Sequence, residues 1–324
     1  MPYIWVITLH AMKKPFKIAL FSLLGIILVL FILVMVVNFS GIPYYENEAE
    51  ELTVEVTDAR VAEGSRLAAL LCSQCHGSND GKMGGAYMAD AADFGKIYAP
   101  NITQHPEYGI ADYTDGELAY LLRTGIKKDG QYAPVWMPKF PHLSDEDLFS
   151  IIAFLKSDHP LVQPSDHVTP PIEPNLLAKM LSRVAFKPLP YPEEPVVAPA
   201  RSDKVAYGRY LAVGKFDCFG CHSADFKTLD IMNPERSKGY FGGGSLLRDK
   251  EMNEIYSSNL TMDKETGIGS WSEEEFIRTL RFGMRPDNTP LRYPMIPAPM
   301  ISEEEASAIW AYLQTIPVIV NEVE

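Results

Sequence analysis

One stretch of this chain is written twice, and that duplication limits the possible folds more than any other property. Asn101-Ile102-Thr103 recurs as Asn259-Leu260-Thr261, an offset of 158 residues that then aligns residues 101–155 with 259–313 without a gap. Gly109-Ile110 pairs with Gly267-Ile268, Tyr113 with Trp271, Glu117 with Glu275, and Leu122-Arg123 with Leu280-Arg281. Gly125 pairs with Gly283, Met137 with Met295, and Ala153 and Leu155 with Ala311 and Leu313. Upstream, Gly84-Gly85 keeps the same offset to Gly242-Gly243, whereas VAEGSRLA from Val61 and VAYGRYLA from Val205 lie only 144 apart. The second copy has therefore gained two short insertions. The larger falls between His222 and Gly242, around Pro234, Lys238 and Gly239, where a surface loop is expected. With 324 residues, the chain has room for two similar domains and their connections.

Both copies read as helical. Thr114 with Glu117 and Ser272 with Glu275 form capping boxes, before helices that should stop near Gly125 and Gly283. A second pair of helix starts, at Ser144 and Ser302, opens stretches whose apolar residues share one face: Leu148, Ile151, Ile152 and Leu155, then Ala306, Ile309, Trp310 and Leu313. Residues 159–200 hold ten prolines and read as an interdomain linker, with one short helix possible from Asn175.

Residues 18–37 contain no charge, and a helix of that length spans a hydrocarbon core of roughly 30 Å. A signal peptide usually has a shorter apolar region, followed by a small-x-small cleavage site, and neither is present; cleavage near Ser40 is the alternative. Lys13, Lys14 and Lys17 precede the segment, whereas residues 38–59 have no Lys or Arg, so the N-terminus is expected inside and the remainder on the outer, periplasmic side of a bacterial membrane. These readings give a cytoplasmic N-terminus (1–17), a transmembrane helix (18–37), an acidic tether (38–57), a first domain (58–158), a proline-rich linker (159–200), a second domain (201–318) and a tail (319–324). The extended tether, at most roughly 70–80 Å long by contour, would let the first domain swing above the bilayer. Net charge is −13, with 29 basic against 42 acidic residues, which argues against nucleic acid as a partner.

All four cysteines fall in two motifs, Cys72-Ser-Gln-Cys75-His76 and Cys218-Phe-Gly-Cys221-His222. C-x-x-C-H is the attachment signature of c-type haem: two thiols on one helical turn add to the vinyl groups of one porphyrin edge, and the following imidazole turns toward the iron. A thioredoxin-like pair would sit between a strand and a helix, and a four-cysteine zinc site normally has closer pairs. Two covalent haems c are therefore expected, with Cys72, Cys75, Cys218 and Cys221 as thioether residues and His76 and His222 as iron ligands.

No histidine follows His222, so the second iron needs a different opposite ligand. Met295 and its repeat partner Met137 precede the last helix of each copy by the same interval, which makes them the expected distal ligands. Met300 is the rival in copy two, but its repeat partner is His142, which would make the haems dissimilar. Methionine ligation raises the haem potential and fills the sixth position, which favours outer-sphere electron transfer. Asn101, Thr103, Asn259 and Thr261 read either as neighbours of the haem propionates or as turn caps, and Arg123 and Arg281 as residues of a solvated helix face, with pairing to the propionates as the alternative.

With these residues assembled, the region resembles the class I cytochrome c superfamily. The Gly-Gly pair, N-[I/L]-T, TGIGSWSEEEF from Thr266, the Met-Pro region and AYLQTIP from Ala311 look like the multihaem cytochrome c subunits of membrane-bound alcohol, aldehyde and gluconate dehydrogenases. The resemblance implies an all-α fold of two tandem cytochrome c domains after an N-terminal transmembrane helix. It further implies single-electron transfer from a periplasmic or membrane-bound dehydrogenase to a respiratory-chain acceptor or terminal oxidase, without catalytic residues of the chain's own. The chain departs from that family in having two haem motifs where three are common, in its N-terminal anchor, and at QHPEYGI from Gln104, where the family favours D-x-x-T-G-I-G. A dihaem peroxidase is the alternative function; it would need Met137 or Met295 to leave the iron.

Overall fold

The computed structural model describes residues 13–249 and 251–323; most of the expected cytoplasmic segment, including His10, lies outside them. The structure is helix-rich, with only two short two-stranded ladders among the described residues. Helix α1 (Lys14–Ser40) is longer than the charge-free run that announces it, and none of its apolar core is buried against the rest of the protein.

Two helix pairs follow, each built around a glycine. Helix α2 (Asp58–Leu71) crosses α5 (Asp145–Leu155), and α7 (Lys204–Arg209), prolonged by a wide π-type turn through Lys215, crosses α10 (Glu303–Leu313). A Cβ added to Gly64 would lie 1.9 Å from the Ser150 carbonyl oxygen, and one added to Gly208 would lie 1.9 Å from that of Ala308. Ser150 and Ala308 are themselves repeat partners, so both copies use the missing side chain to bring two backbones together. Helix α3 (Ser73–His76) starts as α2 ends, and α8 (Cys218–His222) follows the π-type turn at the corresponding place.

Helices α4 (Asp115–Thr124) and α9 (Glu273–Phe282) complete the pairs. Each begins with the full capping box read in the sequence and ends at a left-handed glycine, Gly125 at φ +84° and Gly283 at φ +77°. Ser144 and Ser302 cap α5 and α10 as expected, by accepting from the Asp147 and Glu305 backbone N–H groups. Two large apolar clusters result. Leu67, Leu118, Leu148, Ile151, Ile152 and Phe154 belong to one, and Leu211, Phe241, Phe276, Ile309, Trp310 and Leu313 to the other.

The two clusters are joined across a charged seam. Lys215, 5% exposed, places its ammonium 2.7 Å from Glu63 and 2.9 Å from Asp147. Arg66 forks between Glu63 at 2.7 Å and Glu305 at 2.9 Å, and donates to the Met300 carbonyl. Tyr210 donates to Asp147, and its hydroxyl oxygen lies 2.9 Å from Ser144 Oγ. Every buried charge here has an opposite partner, the condition under which burying charge is tolerable.

Two sequence expectations change. Residues 42–56 do not hang free: Ile42 and Val54 are buried, Tyr45 N–H donates to Gly130 O, Tyr132 N–H to Pro43 O and Val54 N–H to Asp115 Oδ2. Hydrogen bonds to the first copy hold this segment at Pro43, Tyr45, Asn47 and Val54, so the contour-length argument for swinging does not hold. The insertion after His222 is also more than surface. Its Ile231 carbonyl meets His142 Nε2 at 2.7 Å across the seam, and the buried Tyr240 hydroxyl meets that of Tyr312.

The glycine crossings predict a sign. Gly→Ala inside an exposed helix normally stabilises by up to about 1 kcal/mol, but overpacking a close contact costs about 1–3 kcal/mol. Gly64→Ala and Gly208→Ala should each lower the thermal midpoint; a raised midpoint would contradict the close approach. The seam predicts an acid response. Its cations hold Glu63 down to about 2 against an ordinary 4.5, outweighing the opposing effect of burial. A depressed carboxylate stabilises fully above its unfolded pKa and loses that contribution as pH falls through the folded value. Wild type should therefore lose stability faster than Glu63→Gln between about pH 4.5 and 2, the window set by those two values; parallel curves from denaturant titrations would contradict the arrangement.

Candidate haem sites

Each C-x-x-C-H motif occupies a short helical turn anchored by the longer helix before it. His76 N–H donates to Cys72 O at 2.9 Å, and Cys75 N–H to the same carbonyl at 3.2 Å. The decisive geometry concerns the imidazoles. His76 Nδ1 lies 2.8 Å from Pro100 O, and His222 Nδ1 lies 2.9 Å from Ser258 O. Pro100 and Ser258 are repeat partners, one residue before the Asn of each N-x-T. A backbone carbonyl at Nδ1 sets the tautomer and leaves Nε2 to act as a donor to a metal. Burial lowers the pKa of both histidines, which favours the neutral, ligating form.

Backbone closure around the motifs is also duplicated. Gly85 N–H donates to His76 O and Gly243 N–H to His222 O, both at 2.8 Å. Both glycines have positive φ, +89° and +69°, and a Cβ there would come within 2.3 Å of Ala99 O and 2.5 Å of Ser257 O. This explains the Gly-Gly pair that the sequence repeats. The four cysteines form no disulfide, and burial pushes the Cys72 and Cys218 thiols up to about 12, which favours the neutral thiol. Two unpaired thiols and one carbonyl-oriented imidazole on a single turn form a donor set that fits covalent haem, and each copy has one.

The candidate distal ligands differ between copies. Met137 is partly buried and packs against the same apolar cluster as Cys72. Met295 lies in the turn after Tyr293-Pro294, is 37% exposed and stands outside the clusters. Met300 is also exposed, and its repeat partner His142 is engaged through Nε2 with Ile231 O. That engagement removes the main attraction of pairing His142 with Met300 as dissimilar ligands.

Several residues matter in ways the sequence did not reveal. Asn101 and Asn259 are buried; each Oδ1 accepts from the N–H and hydroxyl of Thr103 or Thr261. Their amides reach the chain beyond the last helix, Asn101 to Ser165 O and His167 O, Asn259 to Ile319 O. They are thus buried ties between loops rather than simple turn caps. Arg123 is a correction: it is 1% exposed instead of solvated, and it donates to Phe140 O, Pro141 O and Leu143 O while pairing with Asp145 at 2.7 Å. It therefore fixes the chain just after Met137. Arg281, its repeat partner, is less buried and comes only within 4.0 Å of Glu303. His105 occupies the repeat position of Asp263, and both perform the same local task. His105 Nδ1 accepts from Glu107 and Tyr108 N–H, and Asp263 Oδ1 from Glu265 and Thr266 N–H. The departure at QHPEYGI thus preserves the turn while replacing a carboxylate by an imidazole.

Residues 61–158 match the cytochrome c family. The match implies covalently bound haem c in this stretch. The chain is 29% identical over 239 residues to the cytochrome c subunit of the quinone alcohol dehydrogenase of Gluconobacter oxydans, a match covering 71% of this chain and 48% of that protein. It is 29% identical over 275 residues to the gluconate 2-dehydrogenase cytochrome c subunit of Pantoea cypripedii, covering 81% of this chain and 60% of that one. It is 25% identical over 268 residues to a dihaem cytochrome c-type protein of Cereibacter sphaeroides, covering 76% and 82%. The chain spans about half the length of the alcohol dehydrogenase subunits it matches. These relatives are named as dehydrogenase cytochrome c subunits and a dihaem cytochrome c, in keeping with the resemblance read from the motifs.

Proposed function

We propose that the chain is a membrane-anchored dihaem cytochrome c that carries single electrons from a periplasmic or membrane-bound dehydrogenase to a respiratory-chain acceptor. The observation that carries this reading is the repeated imidazole geometry, His76 to Pro100 O and His222 to Ser258 O, one for each attachment motif. Residues 58–158 and 201–318 form the two haem domains, 159–200 links them, and α1 holds them to the outer face of the inner membrane, with the preceding lysines inside.

In this reading Cys72, Cys75, Cys218 and Cys221 form the thioether bonds, His76 and His222 are the proximal ligands, and Met137 and Met295 the distal ones. Haem c held there supplies a one-electron iron couple whose potential a methionine ligand raises. The chain's own residues do the positioning. The Pro100 and Ser258 carbonyls orient the imidazoles. Arg123 braces the loop beyond Met137 through three carbonyls, so that little reorganisation accompanies a change of charge. The charged seam of Lys215, Glu63 and Asp147 holds the two domains in one relative pose, which keeps the separation between the sites constant.

The relatives' printed names, cytochrome c subunits of alcohol and gluconate dehydrogenases, support a dehydrogenase as electron donor. Met137→Ala and Met295→Ala should each abolish the low-spin reduced spectrum of one haem and leave the other intact. An unchanged spectrum would contradict that ligand, and peroxide turnover by the wild-type protein would favour a peroxidase instead.

A further inference from the structure

The proline-rich linker carries a helix with three differently used sides. Helix α6 (Leu176–Val184) is capped by Asn175, whose side chain accepts from Ala178 N–H and donates to Asp93 O of the first domain. Ala178 and Ser182 are buried on one side. A second side carries Lys179 and Arg183, which reach the outer end of α1. Lys179 Nζ donates to Asn38 O at 2.8 Å, and Arg183 donates to Gly41 O at 2.6 Å and to Ser40 Oγ at 2.8 Å. Helix α1 has no basic residue in its own last turn, so these two cations meet its unsatisfied carbonyls and the negative end of its dipole. On the third side Leu177, Met180 and Val184, spaced three and four residues apart, are 52%, 42% and 76% exposed.

Three exposed apolar residues on one side of a nine-residue helix have no reason to face water. Their position supplies one. The cation contacts fix α6 beside the last turn of α1, where Val36 and Phe39 are likewise exposed, 58% and 80%. A helix that spans the hydrocarbon core ends at the headgroup level, so an element bonded to that end sits at the same depth. We infer that α6 is an in-plane membrane helix whose Leu177, Met180 and Val184 enter the headgroup and acyl boundary of the lipid surface from which α1 emerges. The occupant of this face is lipid, because the face continues the apolar surface of α1 and its neighbouring cations suit the interface. It follows that the first haem domain is bracketed to the bilayer at a fixed height by residues 42–56 and α6 together.

This inference rests on α1 being a membrane anchor, and the experiment separates the two claims. Full-length protein carrying Leu30→Cys, Val184→Cys or Val205→Cys is spin-labelled, the label position is verified by peptide mass, and the protein is reconstituted into vesicles of phosphatidylethanolamine and phosphatidylglycerol. Collision with oxygen and with a water-soluble nickel chelate is then compared. Labels at 30 and 184 should be accessible to oxygen and shielded from the chelate, whereas the label at 205, on the second domain, should meet the chelate freely. A label at 184 open to the chelate while that at 30 is shielded overturns the in-plane helix and leaves the anchor standing. A label at 30 open to the chelate overturns the anchor and the in-plane helix with it.

Discussion

The close crossing of two helices through a glycine is the contact on which each half of this protein depends. Gly64 against Ser150 and Gly208 against Ala308 bring backbones to a separation that no side chain would permit. From that crossing the rest follows in order. The first helix of each pair delivers its C-x-x-C-H turn onto an apolar cluster, and the last helix receives the methionine-bearing loop before it. A buried Asn-x-Thr tie then fastens the strand of chain beyond that helix. In both copies the carbonyl that orients the motif histidine comes from the residue preceding that Asn.

Between the halves the physics changes from apolar to ionic. Lys215 enters a nearly dry site and is tolerated because Glu63 and Asp147 neutralise it from the other half, while Arg66 ties Glu63 to Glu305. Apolar residues of the same volume could give comparable stability. What paired charges add is a single register, since sliding one half would strand a buried ion. A fixed register keeps the two C-x-x-C-H turns at one separation.

Much of this was legible in the sequence, because duplication allows each reading to be checked against its partner. The capping residues Thr114, Ser144, Ser272 and Ser302, the stops at Gly125 and Gly283, and the short helix after Asn175 all appear where the pattern places them. The failures share a cause. Arg123 reads as a surface residue because arginine usually is one, yet three carbonyls of a loop seventeen to twenty residues away surround it. The acidic segment after α1 reads as a tether because its composition is polar, yet the first copy holds it by hydrogen bonds at Pro43, Tyr45, Asn47 and Val54. The role of His105 was hidden because an imidazole nitrogen can replace the carboxylate oxygen of Asp263 in a turn, an equivalence visible only in three dimensions. Contacts between distant segments leave no local periodicity, and that is where pattern reading ends.

The proposed covalent attachment of iron porphyrin at two places is tested most directly by the intact mass of the full chain after acid denaturation and removal of free haem. The account predicts the polypeptide mass plus two haem groups, falling to one when Cys218 and Cys221 are both replaced by serine. The mass of the bare polypeptide, or a wild-type protein carrying a single haem, would contradict it.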